Sequence, residues 1–413
     1  MTRSLPTAKL GVMVAFLTTT ILYLFVQRQD FVLFAKSNIV ANKTEVVATP
    51  NRITDDRSVT KTHPPTVDSH PTMTQIPKPV INPDRYKLPG MVKSWFPDSH
   101  TVPLTVNKDF LVTPTNLCPL DTPLDYLVMV HTAVGNTDRR QGIRDTYGQV
   151  LFKQPVGRVV FLLGTTENQT LTQIVRKEAA TYNDVVVGDF HDSYHNLTLK
   201  GVAGLKWTNE FCPGVKMVIK VDDDVFVNIF KLVRFMAPPF INKTRQLKCL
   251  FHPAWTKAVM RDGSKWNVDK SEFKGVQHFP IDHCDGFFVM ISGDLIQPLL
   301  EAASVVPFFW IDDVYLFGLL PYTIGDVDIV SCLDHLTFST GDASTCMDKF
   351  GIYCTYYAVS QNYFSIKHFH HMWTRQKKQV TEGVKNWFHM VDDFPVNTNM
   401  DDVIKVNMPG FNS

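Results

Sequence analysis

Three consecutive carboxylates, Asp222, Asp223 and Asp224, are the first residues whose chemistry asks for an explanation. Adjacent carboxylates repel one another unless donors or a cation neutralise them. A hard divalent cation with oxygen ligands is the natural partner, and such a cation commonly also meets phosphate oxygens. In an extended segment Asp222 and Asp224 face one side and can share a metal, directly or through water, while Asp223 points away. The plain alternative is a solvated acidic turn after a strand. A second acidic pair, Asp312-Asp313, heads an apolar helical run. Acids there suit helix capping, and they also suit a proton acceptor. Arg140 and Arg144 lie four apart and share a helix face. They are set to meet a phosphate or to form an intramolecular ion pair. Lys200, His278, His283, Asp189 and Asp192 are further polar residues whose surroundings decide between a site and ordinary structure.

The elements that must position these groups follow from hydrophobic periodicity. Alternation through Val215–Val221 makes a strand that delivers the triplet at its C-terminal edge, where ligands bind in open α/β sheets. Before it, Tyr126–His131, Arg158–Gly164 and Asp184–Phe190 read as buried strands. Between them, Asn136–Tyr147, Asn168–Tyr182 and Leu197–Phe211 read as helices. Thr137 or Asp138 stands near the first cap, and Leu199, Val202, Ala203 and Lys206 share one face of the third helix. Cys212-Pro213-Gly214 is a stop signal. Strands spaced by helices predict a mostly parallel, Rossmann-like sheet with right-handed crossovers. No GxGxxG follows the first strand, which disfavours a dinucleotide oxidoreductase. Further on, Phe287–Ile291 reads as a buried strand and Leu295–Ser304 as a short helix.

The rest of the chain bounds the setting. A net charge of +1 over 413 residues excludes a nucleic-acid binder driven by phosphate neutralisation. Leu10–Val26 is an uncharged apolar run at the short end of a membrane span, preceded by Arg3 and Lys9. It reads as a signal anchor rather than a cleaved signal peptide, because bulky residues occupy its exit. Eleven of the 25 prolines fall between Pro50 and Pro114, so residues 27–114 read as a lumenal tether. Its more apolar last third, with Trp95, Phe96, Phe110 and Leu111, is suited to pack on the domain that follows. The expected order is a cytosolic tail over 1–9, a transmembrane helix over 10–26, a stem over 27–114 and a single catalytic domain over 115–413. Four Asn-x-Thr sequons, at Asn42, Asn168, Asn196 and Asn242, agree with a lumenal chain. Seven cysteines allow up to three disulfides and leave at least one thiol over.

Taken together, Arg140-x-x-Ile143-Arg144-x-Thr146-Tyr147-Gly148, Phe161-Leu-Leu-Gly164, Asp189-Phe-x-Asp192-Ser-Tyr194-x-Asn196-Leu-Thr198-Leu-Lys200, Lys220-Val-Asp-Asp-Asp224-Val-Phe-Val-Asn228, Cys284-x-Gly286 and Asp312-Asp313-Val314-Tyr315-x-x-Gly318 resemble the β-1,3-galactosyltransferase and β-1,3-N-acetylglucosaminyltransferase group, family 31 of the glycosyltransferases. The resemblance runs from about Asp125 to Leu320. It implies a GT-A fold, a mixed α/β sheet with flanking helices, and an inverting transfer from a UDP-sugar with Mn²⁺ at the triplet. It implies Asp222 and Asp224 as metal ligands, with His368 as the candidate third. Asp222, Asp223, Asp224, Arg140, Arg144 and Lys200 are then the nucleotide-side residues, and Asp313 rather than Asp312 the catalytic base. Asp223 is expected to meet the nucleotide's sugar or a structural donor. Partners implied are a UDP-sugar donor, a glycan acceptor on glycoprotein or glycolipid, and the Golgi membrane, in a single-pass type II arrangement with no nucleic acid. Three positions depart from the family pattern: Tyr147 stands for its usual Trp, Asp312 for its Glu, and His283 for its Tyr. UDP-galactose is the favoured donor. A β-1,3-N-acetylglucosaminyltransferase and a catalytically silent sugar-binding homologue are the alternatives. A metal-dependent phosphohydrolase would need a nucleophilic aspartate after the first strand, where the chain has His131-Thr132.

Overall fold

The structure, a computed structural model, describes residues 80–97, 103–104, 109–118, 124–153, 157–350, 354–360 and 366–388. These residues belong to one compact unit, Thr74–Ser413. The tail, the span expected over 10–26 and the stem up to residue 79 lie outside the described residues. Among the described residues no helix is long and apolar enough to cross a membrane.

The strands are β1 (Phe110–Val112), β2 (Tyr126–His131), β3 (Gly157–Thr165), β4 (Val185–His191), β5 (Met217–Asp222), β6 (Val225–Val227), β7 (Gln246–His252), β8 (His283–Ser292), β9 (Asp328–Ser331), β10 (Leu336–Thr337) and β11 (Ala358–Ser360). Eight form one sheet in the order β1-β4-β3-β2-β5-β8-β7-β9, and β10-β11-β6 form a second. The four inner strands β4, β3, β2 and β5 are parallel, whereas β8 runs antiparallel to β5. The sheet is therefore mixed, as expected, and flanked by helices on both faces.

Alternation along the strands divides the interior in two. Met217, Ile219 and Val221 of β5 join one core with Val128, Val130 and Phe161. Val218 joins the other with Met129, Leu162, Val289 and Ile291. A strand buried on both faces contributes to both cores, so neither face of β5 is left polar until Lys220. The helix Leu197–Phe211 has the expected bounds, and Leu199, Val202, Ala203 and Lys206 line one groove together as expected. It turns Gly201, Gly204, Leu205 and Thr208 inward. At Gly201 a Cβ would stand 2.2 Å from Leu316 Cδ1, so only glycine permits this approach. The helix expected over 136–147 is two pieces, Thr137–Arg144 and Gly148–Lys153. Its N-cap is Asn136, whose side chain makes no capping bond.

The last third of the expected stem packs on the domain, as its apolar residues suggested. Val92, Trp95 and Phe96 of the presumed stem are core residues. Trp95 stacks on Phe273 at 5.6 Å, and Phe96 meets Phe309 at 6.0 Å. β1 pairs antiparallel with β4. Aromatic pairs contribute about 0.5–1.5 kcal/mol each beyond the area they bury, which explains why this segment is held to the unit. Disulfides join Cys118–Cys212, Cys249–Cys284 and Cys346–Cys354, and Cys332 is a buried free thiol.

Candidate active site

The chain visits β2, β3 and β4 on one side, then crosses to β5 on the other side of β2. That reversal is the topological switch point, where a crevice opens past the strand ends. His131 and Asp222 are paired there across β2 and β5. After β2 the chain bends into the helix Thr137–Arg144. After β5 it makes a turn at Asp223-Asp224 and enters β6 of the second sheet.

This turn, not an extended segment, separates the three carboxylates. Asp223 is buried, and its backbone N–H donates to His131 O at 3.1 Å. Its carboxylate accepts from Thr132 Oγ1 at 2.7 Å, Asn136 Nδ2 at 2.8 Å and Arg139 Nη1 at 2.7 Å. Its negative charge is met by protein donors. The side chains of Asp222 and Asp224 are 40% and 33% exposed, against 7% for Asp223. Burial, then the charges of Asp222 and Asp223, pushes the Asp224 carboxyl up to about 6, although Arg139 opposes this from 3.3 Å. A carboxyl kept from ionising by burial and by two neighbouring carboxylates is one that a cation would relieve. Asp222 and Asp224 are therefore suited to a hard divalent ion. Among the described residues, no three His, Cys, Asp or Glu side chains enclose a metal by themselves. His368 is exposed on the helix Ile366–Phe388, and among the described residues it forms no ready-made three-ligand cluster with Asp222 and Asp224. The residue that pairing sets opposite Val225, directly after the triplet, is Ser360.

The basic residues expected at the nucleotide take other positions. Arg140 is fully buried and grips Glu178 through Nε and Nη2 at 2.8 and 2.7 Å. Its Nη1 donates to Ala133 O at 2.7 Å. Arg144 donates to both oxygens of Asp184 at 2.8 Å and stands 2.7 Å from Glu178. This is a buried ion network that locks the helix Thr137–Arg144 to the helix Gln169–Tyr182 and to the start of β4. Lys200 is buried too, and its ammonium donates to Thr132 O at 2.6 Å and Asp192 at 2.8 Å. Long cations are expelled from interiors unless paired, and these three are paired with protein groups instead of opening to the crevice. The guanidinium that does reach the triplet is that of Arg139, one residue before Arg140.

Across the crevice, Lys220 connects the triplet to the second acidic pair. Its buried ammonium donates to Asp222 Oδ1 at 2.7 Å and to Gly286 O at 2.6 Å, and lies 3.9 Å from Asp312. These anionic partners outweigh the cost of burial and raise its pKa. Asp312 and Asp313 begin a helix of three pieces, Asp312–Val314, Tyr315–Leu319 and Leu320–Ile324, whose middle is a π turn. Such turns recur at functional sites. The N-cap is Ile311, which makes no capping bond, and the Asp312 carboxylate takes backbone N–H bonds at the helix start. Burial, then the Asp312 carboxylate, pushes Asp313 well above the ordinary range, against the pull of Lys220. A Cβ at Gly286 would lie 2.0 Å from Asp313 Oδ1 and 3.2 Å from Lys220 Nζ, so the glycine leaves the space that Asp313 occupies.

Asp313 opens on a cavity of about 410 Å³ whose walls include Tyr194, Trp266, Trp310, His283 and Asp285. Asp285 is 3.1 Å from His252 Nε2 and bonded to Lys257. Burial would raise its pKa, but the Lys257 ammonium and His252 hold it below the usual value. His283 is buried and neutral, lowered to about 4 chiefly by burial. Burial, opposed by a hydrogen bond with Trp266 and aided by the charges of Asp313, Asp312 and Asp222, pushes the Tyr194 phenol up to about 12. His278 lies outside the cavity walls, Asp189 is exposed on β4, and Asp192 accepts the Gly164 N–H at 2.9 Å.

Lys220, Arg139, Tyr194, Trp310 and Asp285 were not singled out by sequence reasoning. Lys220 was visible as a lone charge in a run of apolar residues, and Arg139 as the neighbour of Arg140.

Residues 138–332 match the family model described as Galactosyltransferase. Beta-1,3-galactosyltransferase 1 of Mus musculus is 30% identical over 215 residues, 50% of this chain and 63% of that protein. The chain thus spans a little under two thirds of that relative's length. Beta-1,3-galactosyltransferase 5 of Pan paniscus is 31% identical over 209 residues, 50% of this chain and 68% of that protein. A solved galactosyltransferase LgtC, in complex with donor and acceptor sugar analogues, has a TM-score of 0.31 at 8% identity, covering 60% of this chain and 95% of its own. That likeness is too distant to carry an argument. The matched segment begins in the helix that supplies Arg139 and ends after β9, so it encloses the acidic turn, Gly286 and Asp313, and with a 31% identical relative covered over 68% of its length the chain belongs to the galactosyltransferase family.

Proposed function

We propose that the protein is an inverting, UDP-sugar-dependent β-1,3-hexosyltransferase of GT-A type, with galactose as the sugar transferred. The observation that carries the reading is the pairing of two unlike acidic clusters across Lys220. One is partly open and short of counter-charge, and the other is buried beside a cavity. The names of the relatives favour galactose over N-acetylglucosamine. The three disulfides support an oxidising compartment, in keeping with a lumenal domain anchored in the Golgi membrane.

In this reading Asp222 and Asp224 are the residues that would hold a Mn²⁺ ion. When bound, that ion neutralises the leaving group's charge. Asp223 does not ligate; its three donors fix the turn so that its neighbours stay in place. Asp313 accepts the proton of the attacking acceptor hydroxyl. The new bond joins that oxygen to the anomeric carbon, and the electrons of the broken carbon–oxygen bond leave with the diphosphate. Attack from the face opposite the leaving group inverts the centre. Asp313 is suited to this because burial keeps it basic, while Lys220 limits how far its pKa rises.

The test is turnover of a panel of UDP-sugars with and without Mn²⁺, using the full chain. UDP-galactose should be consumed only with the metal present. Asp313→Asn should lower turnover by about 10²–10⁴-fold while UDP binding by calorimetry is retained. Absence of turnover with every donor sinks the reading, and an active Asp313→Asn sinks the assignment of the base.

A further inference from the structure

At the end of the sheet opposite the acidic clusters the surface is hollowed. The hollow measures about 450 Å³ and lies between the end of the helix Leu197–Phe211, the approach to β5, the turn before β7 and the segment after β8. That volume falls within the usual range of small-molecule sites. The six residues of β5 separate it from the acidic turn, a span of roughly 17 Å at the rise of a strand. A ligand here therefore stays clear of the donor and of Asp313.

The polar groups of the hollow are of mixed kind. Asn209 is 8% exposed, and its Nδ2 is buried without a partner among the described residues. A half turn about its last side-chain bond exchanges nitrogen and oxygen, so this amide can offer a donor or an acceptor. Gln297 donates through Nε2 to Val80 O at 3.2 Å and to Glu301 Oε1 at 2.9 Å, which leaves its own oxygen to accept. Lys243 and Asp294 put one charge of each sign on the wall, and a second lysine, Lys216, is already paired with Asp125 at 2.7 Å. Ile241 adds an apolar surface. Such walls suit a neutral ligand that carries an amide and hydroxyls together.

The chain itself can supply that ligand. Ile241 and Lys243 flank Asn242, the first residue of the sequon Asn242-Lys243-Thr244, and Thr244 also borders the hollow. Asn242 and Thr244 are exposed, and neither side chain makes a hydrogen bond among the described residues. At Asn196, by contrast, Nδ2 donates to His191 O at 2.8 Å and the Thr198 hydroxyl is buried on Phe309 O at 2.7 Å. We propose that Asn242 carries an N-linked glycan and that the hollow seats its innermost N-acetylglucosamine, with the acetamido group against the Asn209 amide. The inference rests on the lumenal placement of the chain, not on the reaction it catalyses. In the attachment, the Asn242 nitrogen bonds to the anomeric carbon of an oligosaccharide carried on a lipid diphosphate. The nitrogen gives up a proton, and the electrons of the broken carbon–oxygen bond leave with the diphosphate.

The experiment produces the full chain in cells that attach N-glycans and treats it with peptide N-glycosidase in isotopically heavy water. Mass spectrometry of the peptides then identifies each released site as a labelled aspartate. Asn242 should be occupied. In the native protein its glycan should be released at least about tenfold more slowly than glycans at the other occupied sequons, because release requires the sugar to leave its seat. After denaturation the rates should match. Asn209→Ala, with its near-ultraviolet circular dichroism intact, should erase the protection; if that variant does not fold, the comparison of sequons in the native wild-type protein still decides. An unmodified Asn242 overturns the site. Release as fast as elsewhere, or protection that survives in folded Asn209→Ala, overturns the seat. If no sequon is occupied, the inference falls together with the lumenal placement, while turnover of UDP-galactose judges the transferase reading separately.

Discussion

The acidic turn after β5 and the acidic pair at the head of the 312–324 helix use the same residue type for opposite ends. At the turn, Asp223 takes three donors within 2.8 Å, and its neighbours stay partly exposed. At the helix head, Asp313 has no comparable donors, a carboxylate beside it and a glycine carved out around it. One arrangement leaves Asp222 and Asp224 partly open, with the Asp224 carboxyl raised in a way that a cation would relieve. The other makes a carboxylate reluctant to ionise and hence able to take a proton. Environment, not residue type, assigns the roles.

The contrast can be broken from several directions. Gly286→Val should have the largest effect, since its side chain enters the space of Asp313 Oδ1. Displacing a reacting group by about 1 Å costs roughly a hundredfold in kcat. Donor KM should be unchanged in steady-state kinetics, and a parallel rise in donor KM would mean that the two clusters are not separable.

Arg140→Met removes one partner of a fully buried ion pair, which typically costs about 3–5 kcal/mol. Denaturant unfolding should record that loss, with an unaltered donor KM in the folded fraction. A raised KM at unchanged stability would instead return Arg140 to the nucleotide.

Lys220→Met removes the ammonium that restrains Asp313. The base then ionises at higher pH, and because transfer needs the carboxylate, the acid limb of the kcat–pH profile should move up by about one unit or more. A limb that stays in place would show that Lys220 serves packing alone.

The smallest effect concerns Asp224. Its carboxyl titrates at about 6, above the ordinary carboxylate value, so the folded state holds the extra proton and stability falls as pH rises through that window. A cation reverses this by favouring the ionised form. Mn²⁺ should therefore raise the melting temperature more at about pH 7.5 than at about pH 5.5. Equal shifts would separate Asp224 from the metal.

Much of the parallel half of the fold was legible, because β2 to β5 alternate or run apolar between clear stop signals such as Cys212-Pro213-Gly214. The segment from 253 to 282 was not, since it folds with little regular structure, and β8 begins at His283 rather than Phe287 because its pairing with β7 extends it. For Arg140 and Arg144 the structure takes the ion-pair alternative, and Lys200 is paired within the protein too, for a general reason. A basic residue near a strand end looks the same in sequence whether it faces a phosphate or a buried carboxylate, and Glu178 and Asp184 gave no local sign that they were the partners. Trp95 and Phe96 were recognised as apolar, but their packing against Phe273 and Phe309 joins segments about 180 to 210 residues apart in sequence, which no local pattern reveals.

The strand that follows the acidic turn has a partner that arrives late. Val225–Val227 pairs with Ala358–Ser360, more than 130 residues further along the chain. Contacts of such sequence separation close slowly and after local ones. A growing polypeptide therefore carries all three acids of the turn, and Asp313 as well, long before the turn is clamped. On the proposed reading donor binding would report completed folding, and a chain ending before residue 358 would keep every acid of the site without the strand that pairs with β6.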